Sequence, residues 1–268
     1  RLVKSPAKQR GRDFGIMLRC LSDQGYAMEW RIINASEYGH PQRRRRIYIF
    51  AYHKSTKYYQ DRENCTPYEI ISKEGVFAKE FPIEEIKEKA IKQYDFKTKF
   101  KDLVEVSDKF SASFENAGYM IGSKVFTYKT KAKLEEPIVL KDIVEKNGVD
   151  SHYFLTESQR KKYEYLRGSK KIPRKDKNGF EYMYSEGSMS PYDELSLPAR
   201  TMLTSEGTTN RSTHIIMDPK ENALRILTPI ECERINQFPD NWTNTMPDRK
   251  RYFMMGNALV CSFLFLCI

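Results

Sequence analysis

A chain of 268 residues with 40% hydrophobic residues is long and apolar enough to bury a core, which excludes global disorder. Its formal net charge of +10 favours a polyanionic partner, either nucleic acid or an anionic membrane surface. No apolar run is long enough to cross a bilayer, and the five cysteines lie outside zinc-binding spacings, which predicts a reducing compartment and mostly buried thiols.

The first predicted elements are a helix and two strands. Apolar residues at helical spacing from Arg12 to Gln24 predict the helix, which Gly25 would end. A strand is predicted from Tyr26 to Ile33, and the nearly continuous apolar run from Ile47 to Tyr52 predicts a buried parallel strand. Helix, strand, loop and strand in this order are typical of the closing part of an α/β sheet.

The middle of the chain has weak periodicity. A helix is predicted from Glu84 to Lys92 and a strand pair, joined around two glycines, from Phe114 to Lys131. The basic stretch from Arg167 to Gly179 is predicted to be a loop, either a solvated linker or a DNA contact.

Regular structure returns near the C-terminal end. Thr228, Pro229 and Glu231 form a helix-start signal. The stretch from Pro247 to Arg251 is predicted to be a basic connector, and the apolar stretch from Ala258 to Ile268 a core helix.

Four consecutive arginines, residues 43–46, run directly into the second predicted strand. A buried strand would hold these arginines in fixed positions, which favours binding of a ligand over a flexible basic patch. Along an extended backbone Arg44 and Arg46 share one face, and Arg43 and Arg45 point the other way. The alternative is a run of structural salt bridges.

Three separated stretches resemble motifs of the C-terminal half of bacterial cytosine-5 DNA methyltransferases, in the family's order. Gln42 to Arg46 resembles QxRxR, and Arg225 to Trp242 resembles RxLTPxExxRxxxFPDxW. Gly256 to Val260 resembles GNxV with one residue inserted, and Leu197 to Met202 resembles the threonine-containing segment of the target-recognition region.

The resemblance implies an α/β fold class: the C-terminal part of a Rossmann-like S-adenosylmethionine-dependent methyltransferase domain plus a mixed α+β target-recognition domain. Residues 1–53 and 223–268 would belong to the catalytic domain, and residues 54–222 would recognise the target. The implied activity is methyl transfer from S-adenosylmethionine to carbon 5 of a flipped cytosine in specific double-stranded DNA, in a restriction-modification system of the bacterial cytoplasm and nucleoid.

The resemblance also implies catalytic and DNA-contacting residues. Arg46 would reach the oxygen of the flipped base, and Arg44 and Gln42 would help to hold the site. DNA contacts are expected from the following residues: Arg43, Arg200, Thr201 and Met202. For Thr201 and Met202 a plain buried strand is the alternative.

Two further pairs of residues have implied roles. Asn257 and Gly256 would lie beside S-adenosylmethionine, with a simple helix cap as the alternative. Arg225 and Glu231 would organise the structure without taking part in the chemistry. No metal is expected, because the four histidines lie outside metal-binding spacings.

The family's FxGxG-type cofactor loop, Pro-Cys nucleophile and Glu-Asn-Val motif do not occur in this sequence. The chain is therefore expected to be inactive alone and to need an N-terminal catalytic half as its partner. The alternative is a non-catalytic DNA-recognition subunit of a split methyltransferase.

Overall fold

The computed structural model describes residues 2–261. These residues form two compact units, each with its own core. Unit 1 comprises residues 2–38 and 45–135, and unit 2 comprises residues 39–44 and 136–261. No helix among the described residues has the length and apolar character needed to cross a membrane.

Unit 1 combines one five-stranded sheet with short helices. Its helices are α1 (Arg12–Asp23), α2 (Lys57–Gln60), α3 (Pro67–Glu69), α4 (Val76–Glu80), α5 (Phe96–Lys99) and α6 (Leu103–Lys109). Its strands are β1 (Tyr26–Asn34), β2 (Arg45–His53), β3 (Lys92–Asp95), β4 (Ala117–Ile121) and β5 (Lys124–Tyr128), in the sheet order β2-β1-β4-β5-β3.

The prediction of α1 and β1 is confirmed, and an aromatic cluster joins them. Phe14 of α1 meets the ring of Trp30 of β1 edge to face, with ring centroids 5.2 Å apart. Phe114 packs on both rings. Gly118 of β4 lies under Trp30, and a Cβ atom there would come 2.1 Å from the indole, so only glycine fits.

The prediction that the second strand is parallel and buried is wrong. β2 pairs antiparallel with β1, with Tyr26 opposite His53 and Ile33 opposite Arg46. The connection from Asn34 to Arg45 only reverses the chain, whereas a parallel partner needs a longer crossover. β2 is an edge strand of the described sheet, and most of its side chains are partly exposed.

The predicted strand pair is confirmed as β4 and β5, which turn at Gly122 with a φ of 56°. The predicted helix from Glu84 to Lys92 is wrong. That segment holds only a single 3-10 turn at Glu88–Ala90, and the chain then enters β3, which pairs with β5. Pairing with the sheet overrides the weak local helical pattern.

A buried carboxyl group lies beneath the sheet of unit 1. Glu29 of β1 is 3% exposed, and the hydroxyl groups of Tyr52 and Tyr58 each donate to its Oε1 atom over 3.3 Å. Burial raises the pKa of Glu29 to about 7. The folded chain therefore holds this proton more tightly than the unfolded chain does.

We expect the stability of unit 1 to fall as the pH rises. The Glu29 contribution is fully present below about pH 4.5 and is lost by the time the pH has passed through about 7, a change of about 3 kcal/mol. Glu29→Gln should flatten this dependence, because the amide does not titrate. Thermal unfolding at a series of pH values measures it, with the exposed Glu84→Gln as the control; equal slopes for wild type and Glu29→Gln would contradict the assignment.

Unit 2 consists of helices and two separate two-stranded sheets. Its helices are α7 (Leu140–Ile143), α8 (Glu157–Arg167), α9 (Pro229–Ile235) and α10 (Asp248–Asn257). Its strands are β6 (Lys170–Lys175), β7 (Glu181–Glu186), β8 (Ile215–Met217) and β9 (Leu224–Ile226); β6 pairs with β7, and β8 pairs with β9. The core gathers Met202, Ile216, Leu227, Ile235 and Tyr252.

The helix start at Thr228 is confirmed. The Thr228 hydroxyl accepts from the amide of Glu231, and the Glu231 carboxylate accepts from the amide of Thr228, over 3.2 and 2.8 Å. The prediction of a connector after α9 is wrong, and most of the predicted terminal helix lies outside the described residues. The predicted connector from Pro247 to Arg251 is the first turn of α10, where proline precedes an acidic residue at the helix start. Residues 258–261 are not helical, and residues 262–268 of the predicted terminal helix lie outside the described residues.

The predicted basic loop from Arg167 to Gly179 is also different in the structure. Its middle part, Lys170–Lys175, forms β6, which pairs with β7 in register from Lys170 opposite Glu186 to Lys175 opposite Glu181. The boundaries of the two compact units differ from the predicted functional division at residues 53 and 222. Compactness alone does not locate a DNA-recognising segment, so that division stays a prediction.

Candidate functional site

The residues that resemble QxRxR alternate between buried and exposed positions. Gln42 and Arg44 are buried, and Arg43 and Arg45 are exposed. The argument that Arg44 and Arg46 share a face of one strand needs correction, because β2 begins at Arg45. Arg44 belongs to unit 2 and Arg46 to unit 1, and each is described within its own unit.

Arg44 joins three of the sequence motifs within unit 2. Its guanidinium donates to the carbonyl oxygens of Met202 and Gly256, each over 3.0 Å, and to Oε1 of Gln42 over 3.3 Å. The planar guanidinium has several N–H donors, so one arginine side chain can donate hydrogen bonds to the carbonyl groups of two separate backbone segments. The contacts are those of a residue that holds a site together.

A buried asparagine that the sequence analysis missed completes this network. The side-chain Oδ1 atom of Asn236 accepts from Nε2 of Gln42 over 3.3 Å, and the side-chain Nδ2 atom donates to the backbone carbonyl of Met255 over 2.9 Å. The backbone carbonyl of Asn236 accepts from the backbone amide of Cys261. The available signal was a polar residue directly after the apolar end of α9, a position that is usually assigned to a helix cap.

The segment that contains Thr201 runs beside the arginines. The amide of Arg43 donates to the carbonyl of Ala199 over 2.7 Å, and the amide of Ala199 donates to the carbonyl of Pro41 over 2.8 Å. The Thr201 hydroxyl then donates to the carbonyl of Arg43 over 2.6 Å. Arg43 and Thr201 are therefore neighbours, and the Arg43 side chain remains exposed.

The side chains of Met202 and Arg200 are engaged within the protein, whereas residues that contact DNA are expected to be exposed. Met202 is fully buried in the core of unit 2, so its side chain offers no surface in this conformation. Arg200 forms an ion pair with Asp193 over 2.5 Å, and buried Arg167 pairs with the same carboxylate over 3.0 Å. Burial raises the pKa of Asp193, but the hydrogen bond from Arg200 and the charges of His214 and Arg167 outweigh it, and the pKa lies below its usual range.

Gly256 and Asn257 were predicted to lie beside the cofactor. At Gly256 a Cβ atom would come 2.4 Å from the backbone of Leu203 and Thr204, so the close approach is made by the protein's own chain. The Asn257 side chain donates to the carbonyl of Phe253, one turn earlier in α10. Their predicted place beside the cofactor stays a prediction. No group of metal-binding side chains occurs among residues 2–261.

Arg225 and Glu231 form a fully buried ion pair. The guanidinium donates to both carboxylate oxygens of Glu231 over 2.8 and 2.7 Å, and its Nε atom donates to Asp218 over 2.6 Å. Asp218, which the sequence analysis missed, also accepts from the amides of Lys220 and Glu221. One cation thus ties the β8–β9 turn to the start of α9, which is the arrangement an organising role requires.

Arg46 lines an open cleft of about 700 Å³ in unit 1. Among the charged residues of its lining, basic ones, which include Arg31, Arg45, Lys129 and Lys131, outnumber acidic ones, which are Glu37, Glu84 and Glu115. Arg46 donates through Nη1 to the carbonyl of Arg45 over 2.9 Å. The remaining guanidinium donors have no hydrogen-bond partner among residues 2–261.

Comparison with known proteins places the chain in a family. The sequence profile described as C-5 cytosine-specific DNA methylase matches residues 3–266. The Type II methyltransferase M.Sau3AI of Staphylococcus aureus is 49% identical over 260 residues, which cover 97% of this chain and 62% of that protein. The Type II methyltransferase M.NlaIV of Neisseria lactamica is 39% identical over 46 residues, which cover 17% of this chain and 11% of that protein.

Two solved structures are also similar. The Entamoeba histolytica methyltransferase EhMeth has a TM-score of 0.48 and 13% identity, covering 95% of this chain and 56% of that one. The S. pombe Dnmt2 methyltransferase has a TM-score of 0.48 and 14% identity, covering 92% and 57%. The chain thus spans less than two thirds of the length of M.Sau3AI and of either solved structure. From the match over residues 3–266, the chain belongs to the C-5 cytosine-specific DNA methylase family.

Proposed function

We propose that the chain serves in methyl transfer from S-adenosylmethionine to carbon 5 of cytosine in double-stranded DNA, within a type II restriction-modification system of the bacterial cytoplasm. Its family and its 49% identity to M.Sau3AI support the proposal. The observation that carries it in the structure is the network of Arg44 and Asn236, which joins the QxRxR, GNxV and threonine-containing stretches in unit 2.

The proposed chemistry assigns a role to Arg46. A thiolate adds to carbon 6 of a cytosine that has left the base stack, and negative charge develops on the ring. A cation beside the base oxygen stabilises that charge. Arg46 can supply it, because its guanidinium lines an open cleft and gives one donor to the Arg45 carbonyl. Arg44 and Gln42 would hold the site without touching the base.

The thiolate would come from a partner segment. Among the described cysteines Cys20 is exposed, and Cys65 and Cys261 are partly buried. Cys232 is fully buried, and burial raises the pKa of its thiol well above the usual value, which disfavours this residue as the nucleophile. No cysteine in the sequence follows a proline. These observations also favour the second candidate, a DNA-recognition subunit that has no catalysis of its own.

Within residues 2–261 β2 has a sheet neighbour on one side only, which supports a partner of this kind. The amide of Lys54 donates to the carbonyl of Gly25, so the even-numbered residues of β2 direct their backbone groups at β1. The backbone groups of Ile47, Ile49 and Ala51 therefore face away from the described sheet. From Ile47 to Tyr52 this edge strand is apolar on both faces, which is typical of a strand with neighbours on both sides. We propose that the N-terminal catalytic half covers it and completes the site for S-adenosylmethionine.

The proposed DNA contacts lie in unit 2. Arg43 is exposed beside Thr201, and the two would contact the backbone and sugar near the vacated base. Arg200 and Met202 would contribute indirectly, by holding the segment that contains Thr201, because Arg200 is paired with Asp193 and Met202 is buried.

Methyl transfer to mixed-sequence duplex DNA from tritium-labelled S-adenosylmethionine tests the proposal. We expect no transfer by the 268-residue chain alone and turnover after addition of the segment of M.Sau3AI that this chain does not match. Robust turnover by the chain alone would overturn the need for a partner. No turnover with the segment, together with retained DNA binding, would favour the recognition subunit.

DNA binding by the chain alone should depend strongly on salt. If it neutralises ~4 phosphates, the logarithm of the association constant should fall with the logarithm of salt concentration at a slope of about −3.6. Fluorescence anisotropy with a labelled duplex measures this slope. Tighter binding to anionic lipid vesicles than to duplex DNA would support the membrane alternative.

A further inference from the structure

The hairpin of β6 and β7 stands apart from the other sheets. Its two strands pair only with each other among the described residues. At its tip the Asp176 carboxylate accepts from the amides of Asn178 and Phe180, and Gly179 has a φ of 82°. At its base Arg211 pairs with Glu186 over 2.7 Å. Both ends are therefore held, although an isolated hairpin is marginal in water.

The two faces of the hairpin differ. On one face Ile172 and Tyr184 are partly buried, and the guanidinium of Arg174 lies 3.8 Å from the centre of the Tyr184 ring. The other face consists of residues that are all exposed: Lys171, Pro173, Lys175, Glu181, Met183 and Ser185. The hairpin thus has one face with side-chain contacts and one face that is exposed.

The charge that remains available on the hairpin is positive. Glu186 is paired with Arg211, Glu181 with Lys175, and Asp176 is engaged by the amides of the turn. Lys171 and Lys177 have no ion pair within residues 2–261, and both are exposed. The side chain of Asn178 is exposed at the tip and makes no hydrogen bond in the same range.

The dimensions match one groove of a nucleic acid. Two strands lie about 4.8 Å apart, and six residues span about 20 Å. The major groove of duplex DNA, about 12 Å wide, admits a two-stranded ribbon, whereas the deep and narrow major groove of an RNA helix does not. An exposed amide at the tip can pair with the edge of an adenine, which presents one acceptor and one donor in that groove.

We propose that the β6–β7 hairpin enters the major groove of duplex DNA, with Lys171 and Lys177 on phosphates and Asn178 on a base edge. This rests on the proposed function and names the element that reads the target sequence.

Binding of labelled duplex DNA to the full chain at several salt concentrations tests the phosphate contacts. The double variant Lys171→Gln/Lys177→Gln should lower the salt slope by about 1.8 and weaken binding roughly 10- to 60-fold at ~0.1 M salt. The control is Lys161→Gln/Lys220→Gln, which removes the same charge from exposed positions outside the hairpin and should match wild type. Unchanged far-ultraviolet circular dichroism shows that each variant is folded.

Selection from a pool of randomised duplexes tests the base contact. Asn178→Ala should lose roughly 5- to 150-fold preference at one base position and retain preference at the others. Wild-type levels of binding and preference in both hairpin variants would overturn the proposal and leave the proposed function intact. Tighter binding to single strands than to duplex would also overturn it, whereas a wild-type chain that binds no nucleic acid would overturn the proposed function itself.

Discussion

Replacing Arg225 with alanine is expected to destabilise unit 2 by about 3–5 kcal/mol, because two buried carboxylates lose the cation that they share. Asp218 and Glu231 are both buried, and Arg225 donates to each of them. Burial raises the pKa of Asp218, but hydrogen bonds from the Glu221 amide and from Arg225 outweigh this and lower it. Without the guanidinium the two acids must either take up protons or separate.

Denaturant titration measures the effect, and the same motif offers a control. Arg234 pairs with Asp240 over 2.6 Å, but both side chains are partly exposed to water. Solvent screens such a pair, so Arg234→Ala should cost about 1 kcal/mol or less. Arg225→Lys keeps the charge but loses the fork, and should lie between alanine and wild type. Equal losses for Arg225→Ala and Arg234→Ala would contradict the organising role of Arg225.

Local signals in the sequence were sufficient for elements whose stability is local. The spacing of Phe14 and Leu18, followed by Gly25, predicted α1, and the capping box of Thr228 and Glu231 predicted the start of α9. For α9 the signal and its contacts lie within four residues, and for α1 the helical spacing is itself local, although Phe14 packs on the distant Trp30 and Phe114. The antiparallel position of β2 is different, because a strand's partners are chosen by the rest of the sheet.

The missed hairpin did carry a readable signal. Asn178 and Gly179 form the dipeptide that most strongly favours a tight reversal between strands. The sequence of β6 is rich in lysine and lacks the alternating apolar pattern of a half-buried strand, and this absence of a pattern led to the prediction of a loop. Cross-strand contacts such as Arg174 on Tyr184 replace that pattern, and they become visible only once the register is known.

The network around Arg44 could be predicted only in part. The resemblance to a family singled out Gln42, Arg44 and Gly256, but Asn236 lies 194 residues from Gln42 in the chain. No periodicity connects residues so far apart, and a buried amide contact leaves no trace in composition. The partners of the network are therefore a result of the tertiary structure.

The proposed chemistry predicts a large loss of methylation rate when Arg46 is replaced. In the complete enzyme, Arg46→Ala should lower the single-turnover methylation rate by ~10²–10³-fold, since one preorganised donor to a developing charge is lost. DNA affinity should change little, because the residue would act on the base and not on the phosphate backbone. Arg46→Lys should restore little of the rate, since a point charge replaces the planar fork.

The neighbouring arginines separate a role in catalysis from a general effect of charge. Arg45 directly precedes Arg46 in β2, is exposed and lines the same cleft, so Arg45→Ala removes an equal charge and should leave the rate within a fewfold of wild type. Arg43→Ala should instead weaken DNA binding with little loss of rate at saturating DNA. Single-turnover methylation with the chain and its catalytic partner segment, at saturating duplex DNA, measures the rates of all four variants, and fluorescence anisotropy with a labelled duplex measures their DNA affinity. If Arg45→Ala and Arg46→Ala are equally slow, the cleft acts only through its total charge, and Arg46 has no specific contact with the base.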